Sequence, residues 1–192
     1  MNFYISDLHF FHKNIILYDS RPFASVEDMN AEMVRRWNSV VKNNDTVYVL
    51  GDMFFKNKPT EEIISILKEL NGKKVLIKGN HDEWLSEDNK KYFDGIYNYL
   101  EVTDNGKNIV LSHYPILSYN KAFKGGYEFY GHVHISKDAD LVEKAKDIFS
   151  EEYGNPYRMI NIGAPMPYMN YTPRTFEEIV SGYEKWKKES KK

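Results

Sequence analysis

The apolar positions change their spacing from segment to segment, and the changes outline the elements of the chain. Phe3-Tyr4-Ile5 is a short apolar run that stops at Ser6-Asp7. Over residues 26–42, Met29, Met33, Val34, Trp37 and Val41 recur at helical spacing and share one face, behind a capping box of Ser25 and Asp28. Thr46-Val47-Tyr48-Val49-Leu50 reads as a strand ending at Gly51-Asp52. Thr60 caps a helix over 61–70 that closes at Asn71-Gly72, and residues 73–78 return as a strand ending at Gly79-Asn80. This β-α-β-α-β order predicts parallel strands. After Asp82 the grammar changes. Residues 96–102 and 108–112 predict two strands joined across Asp104-Asn105-Gly106, a hairpin turn signal. A loop with Pro115 and Gly125-Gly126 leads to a strand over 127–130 that ends at Gly131-His132. A helix over 138–149, a last strand over 159–162 and a C-terminal helix capped by Thr175 and Glu178 follow, with the lysine-rich residues 185–192 as its solvated end. Two packed sheets flanked by helices are the expected architecture.

Length and composition narrow the class. The 192 residues fit one domain over 1–192, with 42% hydrophobic and 28% charged residues as in a folded globular protein. There are no cysteines, which excludes disulfides, thiolate zinc sites, iron–sulfur clusters and cysteine nucleophiles. Lys+Arg 26 against Asp+Glu 28 gives a formal charge of −2, so no global basic field draws nucleic acid. No basic segment followed by an apolar stretch opens the chain, and no apolar run is long enough to span a bilayer. A cytoplasmic protein with no membrane partner is expected.

The chemistry gathers at the predicted strand ends. Of six histidines, five stand there: His9, His81, His113, His132 and His134. Taken singly the signals are modest. Asp7-x-His9 and Gly51-Asp52 are common turn chemistry, and Asn80-His81-Asp82 after Gly79 also reads as a helix N-cap. Gly131-His132-Val133-His134 is the best single signal, since two imidazoles at extended spacing suit a divalent metal. Together they argue for more. Ligands of open α/β sheets bind outside the carboxyl ends of strands. Three carboxylate or amide oxygens and five imidazoles exceed one tetrahedral site and suit two neighbouring ions sharing a carboxylate.

Asp7-Leu8-His9, Gly51-Asp52, Gly79-Asn80-His81-Asp82, His113 and Gly131-His132-Val133-His134 resemble the motif series of the calcineurin-like metallophosphoesterases. The chain is similar in size to the small single-domain bacterial and phage phosphoesterases of that family. The resemblance implies a four-layer α/β/β/α sandwich of two packed mixed sheets flanked by helices, and a dinuclear centre. Asp7, His9 and His134 would hold one ion, Asn80, His113 and His132 the other, and Asp52 would bridge them. The implied reaction is in-line attack on phosphorus by a hydroxide between two divalent transition-metal ions (manganese, iron, zinc or a mixture, manganese favoured). His81 would contact the substrate and stabilise or protonate the leaving oxygen, and Asp82 would orient His81.

The family's protein phosphatases carry Asp-Arg-Gly after the second motif, whereas Asp52 here runs into Met53-Phe54-Phe55-Lys56. Small, nucleotide-type phosphodiesters are therefore the expected substrates. His12 and Arg21 are candidate substrate-binding residues, weighed against a surface histidine and a loop arginine in an ion pair. The loop over 114–126 is expected to wall the cleft. Tyr114, Tyr119, Tyr127, Tyr153, Tyr157 and Tyr168 could stack on a base, though core packing accounts for most of them. The alternatives are a nuclease on DNA or RNA using a basic strip of Lys56, Lys58, Lys121 and Lys124, a phosphomonoesterase, and a non-catalytic metal-binding scaffold.

Overall fold

The computed structural model describes residues 1–55 and 60–190. Its elements run β1 (Asn2–Ile5), α1 (Ile15–Tyr18), α2 (Val26–Val40), β2 (Thr46–Val49), α3 (Thr60–Glu69), β3 (Lys73–Ile77), α4 (Glu87–Lys90) and β4 (Gly95–Tyr97). They continue with β5 (Leu100–Asp104), β6 (Lys107–Leu111), β7 (Tyr127–Tyr130), α5 (Lys137–Tyr153), β8 (Met159–Asn161) and α6 (Phe176–Ser190).

The strands form two four-stranded sheets, ordered β1-β2-β3-β4 and β5-β6-β7-β8. The first is parallel throughout, as the alternation of strands and helices dictates. The second is mixed: β5 and β6 pair antiparallel, then β6, β7 and β8 run parallel. The β5–β6 turn uses Asn105 and Gly106, both at positive φ (46° and 73°), the twist a two-residue hairpin needs. The sheets face each other. Tyr4 of β1 meets Phe129 of β7 edge-on at 5.2 Å, and the chain after β1 bonds to the chain after β8 through Ser6 N–H to Ile162 O (3.1 Å).

Helices cover the outer faces. α2 buries Met29, Met33, Val34 and Trp37, as its periodicity predicts, and α3 buries Ile63 and Leu67. The α2 cap departs slightly from the expected box: Ser25 Oγ accepts the Asp28 N–H (3.0 Å), but the Asp28 carboxylate accepts from Ala24 N–H instead of Ser25. At α6 the reciprocal box is complete, with Thr175 N–H donating to Glu178 Oε2 (2.9 Å) and Glu178 N–H to Thr175 Oγ1 (3.4 Å). α5 is longer than its pattern predicts and ends at Gly154 in the left-handed conformation (φ 65°).

The largest difference lies at 96–102, where one predicted strand is two. β4 closes the first sheet, and after Asn98-Tyr99 the chain crosses to open the second as β5. The residues between are as strand-compatible as their neighbours, so nothing local marks the break. Among the described residues no helix is long and apolar enough to cross a membrane.

Candidate metal centre

In the parallel parts of both sheets the strands point the same way, so the loops that follow β1, β2, β3, β6 and β7 converge. The first two are laced together through their backbones, and the third is tied to the second by side-chain acceptors, Asp52 Oδ1 taking His81 N–H and Asp82 taking Asp52 and Met53 N–H. Asp7 N–H donates to Gly51 O (3.1 Å), His9 N–H to Asp52 O (2.9 Å) and Phe10 N–H to Met53 O (3.0 Å). Packing this close needs glycine. A Cβ on Gly51, whose φ is +84°, would lie 2.4 Å from His113 Nδ1, and one on Gly131 would lie 2.0 Å from Ser6 Oγ.

Two groups of donor atoms result. Asp7, His9, Asp52 and His134 form one, and Asp52, His113 and His132 the other, with the ligand atoms of each group within 4.8 Å of one another. Asn80 completes the second, since its Oδ1 lies 3.0 Å from His113 Nε2 and 2.9 Å from His132 Nδ1. In the first, His9 Nε2 and His134 Nε2 face each other at 3.3 Å. Asp52 Oδ2 sits on the seam, 3.7 Å from His9 Nε2 and 3.5 Å from His113 Nε2. These are the seven residues that the resemblance implies as ligands, divided between the two groups as it implies.

The backbone carries the same mark. Asp7, His9, Asp52, His132 and His134 all adopt positive φ, between 47° and 70°, in the left-handed region that non-glycine residues rarely occupy. Each such residue stores strain of about 1–3 kcal/mol, and clusters of them belong to functional sites.

The donor set suits divalent cations. Burial pushes the Asp52 carboxyl up to about 6; His113 pulls it down and Asp7 raises it further, so a cation between these groups would relieve their repulsion. His9 is driven well below the usual histidine range by burial and then by His134, and His132 is lowered by burial and then by His113. Both therefore favour the neutral form that binds metal. His134 goes the other way: burial lowers it, but its hydrogen bond to Asp19 and the charge of Asp7 outweigh that and raise it.

Outer partners aim the imidazoles. His113 Nδ1 donates to Leu50 O (2.8 Å), which turns Nε2 toward Asp52 and Asn80. His134 Nδ1 lies 3.0 Å from both oxygens of Asp19, a carboxylate–histidine pair of the kind that orients metal ligands. Asp19 is absent from the sequence reading because nothing in its local pattern sets it apart. Asn161 is a second such residue, donating from Nδ2 to His134 O (3.2 Å).

Two expectations are corrected. Arg21 is not a substrate contact. Its side chain is fully enclosed, and its guanidinium donates to Leu8 O (2.8 Å), Asp7 O (2.9 Å) and Asp19 Oδ2 (2.9 Å), which fixes the first ligand loop from behind. Asp82 does not orient His81 and is a positioning residue. It is buried, and its carboxylate accepts from Gly79 N–H (2.7 Å), Asp52 N–H (3.0 Å), Met53 N–H (3.1 Å) and Trp84 Nε1–H (2.9 Å), clamping the second ligand loop to the third.

His81 stands at the edge of both groups, its ring 5.4 Å from that of His9 and its N–H donating to Asp52 Oδ1 (2.8 Å). His12 is half-buried beside the first group, 5.6 Å from the His9 ring and 4.5 Å from that of Phe55. Of the tyrosines, Tyr114 is at the site, 46% exposed and with its ring 4.5 Å from His132. Tyr119 and Tyr157 pack beneath the loop over 114–126, and Tyr127 packs on Phe176. Lys121 and Lys124 gather with Lys107 and Arg158 at the starting ends of β6, β7 and β8, away from the centre, while Lys56 and Lys58 lie outside the described residues.

Converging parallel strand ends that present carboxylates, an amide and imidazoles without thiolates define a candidate site for divalent metal ions. Residues 3–188 match the calcineurin-like phosphoesterase family, and the chain belongs to it. The family hydrolyses phosphoesters with divalent metal ions. An uncharacterized protein of Methanocaldococcus jannaschii is 35% identical over 183 residues, covering 95% of this chain and 91% of that protein. The gene 66 protein of Mycobacterium phage L5 is 37% identical over 81 residues, 41% of this chain and 38% of that protein. A crystal structure of the Aquifex aeolicus protein of unknown function AQ665 superposes with a TM-score of 0.70 at 30% identity, covering 94% of this chain and 98% of that one.

Proposed function

We propose that this protein is a dinuclear phosphoesterase acting on small, nucleotide-type phosphodiesters. The observation that carries the reading is the meeting of two donor groups at one carboxylate, Asp52. Asp7, His9 and His134 would hold one ion, Asn80, His113 and His132 the other, and Asp52 would serve both. Mixed nitrogen and oxygen donors suit manganese, iron or zinc, with manganese favoured. Bound there, divalent ions would supply an acidified water and neutralise charge on the phosphoryl oxygens. His81 holds the proton that the leaving oxygen takes up, a role that typically contributes about 10²–10⁴-fold in rate.

The enclosure of Arg21 supports the diester preference. A monoester dianion carries one more negative charge, and the guanidinium nearest the first donor group is already bonded to Asp7 O, Leu8 O and Asp19. A diester monoanion needs less neutralisation, and its alkoxide leaving group gains more from a proton donor. The test compares bis(p-nitrophenyl) phosphate with p-nitrophenyl phosphate at saturating manganese. A kcat/KM higher for the diester is expected; a clear preference for the monoester replaces the reading with a phosphomonoesterase.

A further inference from the structure

Beside the metal centre lies a cavity of about 170 Å³, enclosed by the start of α5, the segment over 161–167 and one face of α6. Its walls carry the apolar side chains Ile135, Ala139, Met166, Pro167 and Trp186, and His134, Tyr130 and four polar residues complete them. We propose that this cavity is a subsite for a ring carried on the phosphate ester. The inference rests on the functional reading above and adds to it the chemical class of the ester group.

Three observations carry it. First, His134 belongs both to the first donor group and to the cavity wall, so the apolar space begins where the phosphorus would be held. Second, the size is right for one ring, since a cavity of about 150 Å³ lined by apolar side chains takes up benzene. Third, three of the four polar residues on its border are already bonded within the protein, and the fourth, Asp140, is exposed to solvent. Asn161 donates to His134 O (3.2 Å) and accepts from Gly163 N–H (2.9 Å), Ser136 Oγ donates to Val133 O (2.6 Å), and Glu143 is held by Lys146 (2.5 Å) and Tyr183 (2.9 Å). Such walls offer water little and an apolar ring much. Ile135, directly after His134, is 60% exposed, an apolar side chain at the mouth that the core does not use.

The experiment measures binding, so that turnover plays no part. Methyl-, phenyl-, benzyl- and 2-phenylethylphosphonate share one anionic head with an unhydrolysable C–P bond and differ in the ring and its tether. Calorimetric titration of the manganese-loaded protein should find at least one ring-bearing member bound about 10- to 100-fold more tightly than methylphosphonate, the gain expected for burying one ring. Ala139→Phe fills the cavity and should bring that member back to the methylphosphonate level with metal content unchanged. Trp186→Ala, which removes the far wall, should shrink the same advantage. Equal affinities across the series, or a ring advantage that survives Ala139→Phe, overturn the subsite and leave the metal centre standing. Failure of every phosphonate to bind, methylphosphonate included, overturns the functional reading and the subsite with it.

Discussion

The two sheets hold their ligand-bearing loops by different means. At the tips of the first, two loops are joined backbone to backbone, and the Asp82 carboxylate ties the third to the second by accepting from four donors. At the tips of the second, the two loops share one backbone bond, Gly131 N–H to His113 O (3.0 Å), and two of the imidazoles are aimed by single outer partners, His113 by Leu50 O and His134 by Asp19. Asp7 and His9 on the first frame are buried, whereas His132 on the second is half-buried, with the exposed Tyr114 against it. A redundant backbone frame tolerates the loss of one bond. A ligand aimed by one partner does not. The difference teaches that rigidity at this centre rests on several shared bonds on one side and more on single partners on the other.

The comparison can be broken at its seam. Asp52 serves both groups, so Asp52→Asn should weaken both metal positions at once and take the activity with them, more than any other single ligand change. Metal analysis and calorimetric titration read it, and full affinity retained at either position refutes the shared carboxylate.

Next in size is the frame itself. Asp82→Ala orphans the buried N–H groups of Asp52 and Met53, the half-buried one of Gly79 and an indole N–H, and should destabilise the fold by about 3–5 kcal/mol, since each buried donor left unsatisfied costs about 1–3 kcal/mol. Denaturant unfolding measures it. A cost below about 1 kcal/mol, the level of an ordinary exposed hydrogen bond, contradicts the clamp.

Asp19→Asn sharpens the contrast. Loss of an outer carboxylate typically lowers metal affinity about 10–100-fold. The loss should fall on the position that contains His134 and spare the one that contains His113. Equal weakening of both would show that the second sheet, too, behaves as one frame.

The smallest effect is a pH dependence within the second sheet. Glu128 of β7 is buried; one carboxylate oxygen accepts Ile116 N–H (2.8 Å) and the other has no partner among the described residues. Burial pushes its carboxyl well above the usual range, with the Ile116 hydrogen bond and Lys146 opposing. A carboxyl whose pKa is higher folded than unfolded binds its proton more tightly in the fold. Its favourable contribution is therefore present below about pH 4.3, the unfolded value, and lost as pH rises toward the folded value. Glu128→Gln should thus gain in Tm relative to the parent between pH 4 and pH 8. A difference that stays constant with pH, or shrinks as pH rises, contradicts this.

Local patterning reached far into this protein because its elements obey local rules. Helical spacing of Met29, Met33 and Trp37 places α2, Asn105-Gly106 can form little but a hairpin turn, and the histidines stand where strands must end. The seven residues now grouped at Asp52 stand out, together with His81, through residue type and position, and the resemblance to the family is what separates His81 from them. Tertiary structure decided the rest. Asp19 reaches His134 across 115 residues, and Arg21, a candidate phosphate contact by composition, is enclosed because the backbone carbonyls of Asp7 and Leu8 and the carboxylate of Asp19 take up its donors. Asp82, beside a catalytic-looking histidine, turns inward because the donors that need it sit 29 and 30 positions away. The crossing between β4 and β5 has the same origin: a strand's sheet is chosen by the partner that buries its face, and that partner is remote in the chain. Periodicity and turn chemistry act over a few residues, whereas the direction of a buried polar side chain is set by whichever distant group satisfies it.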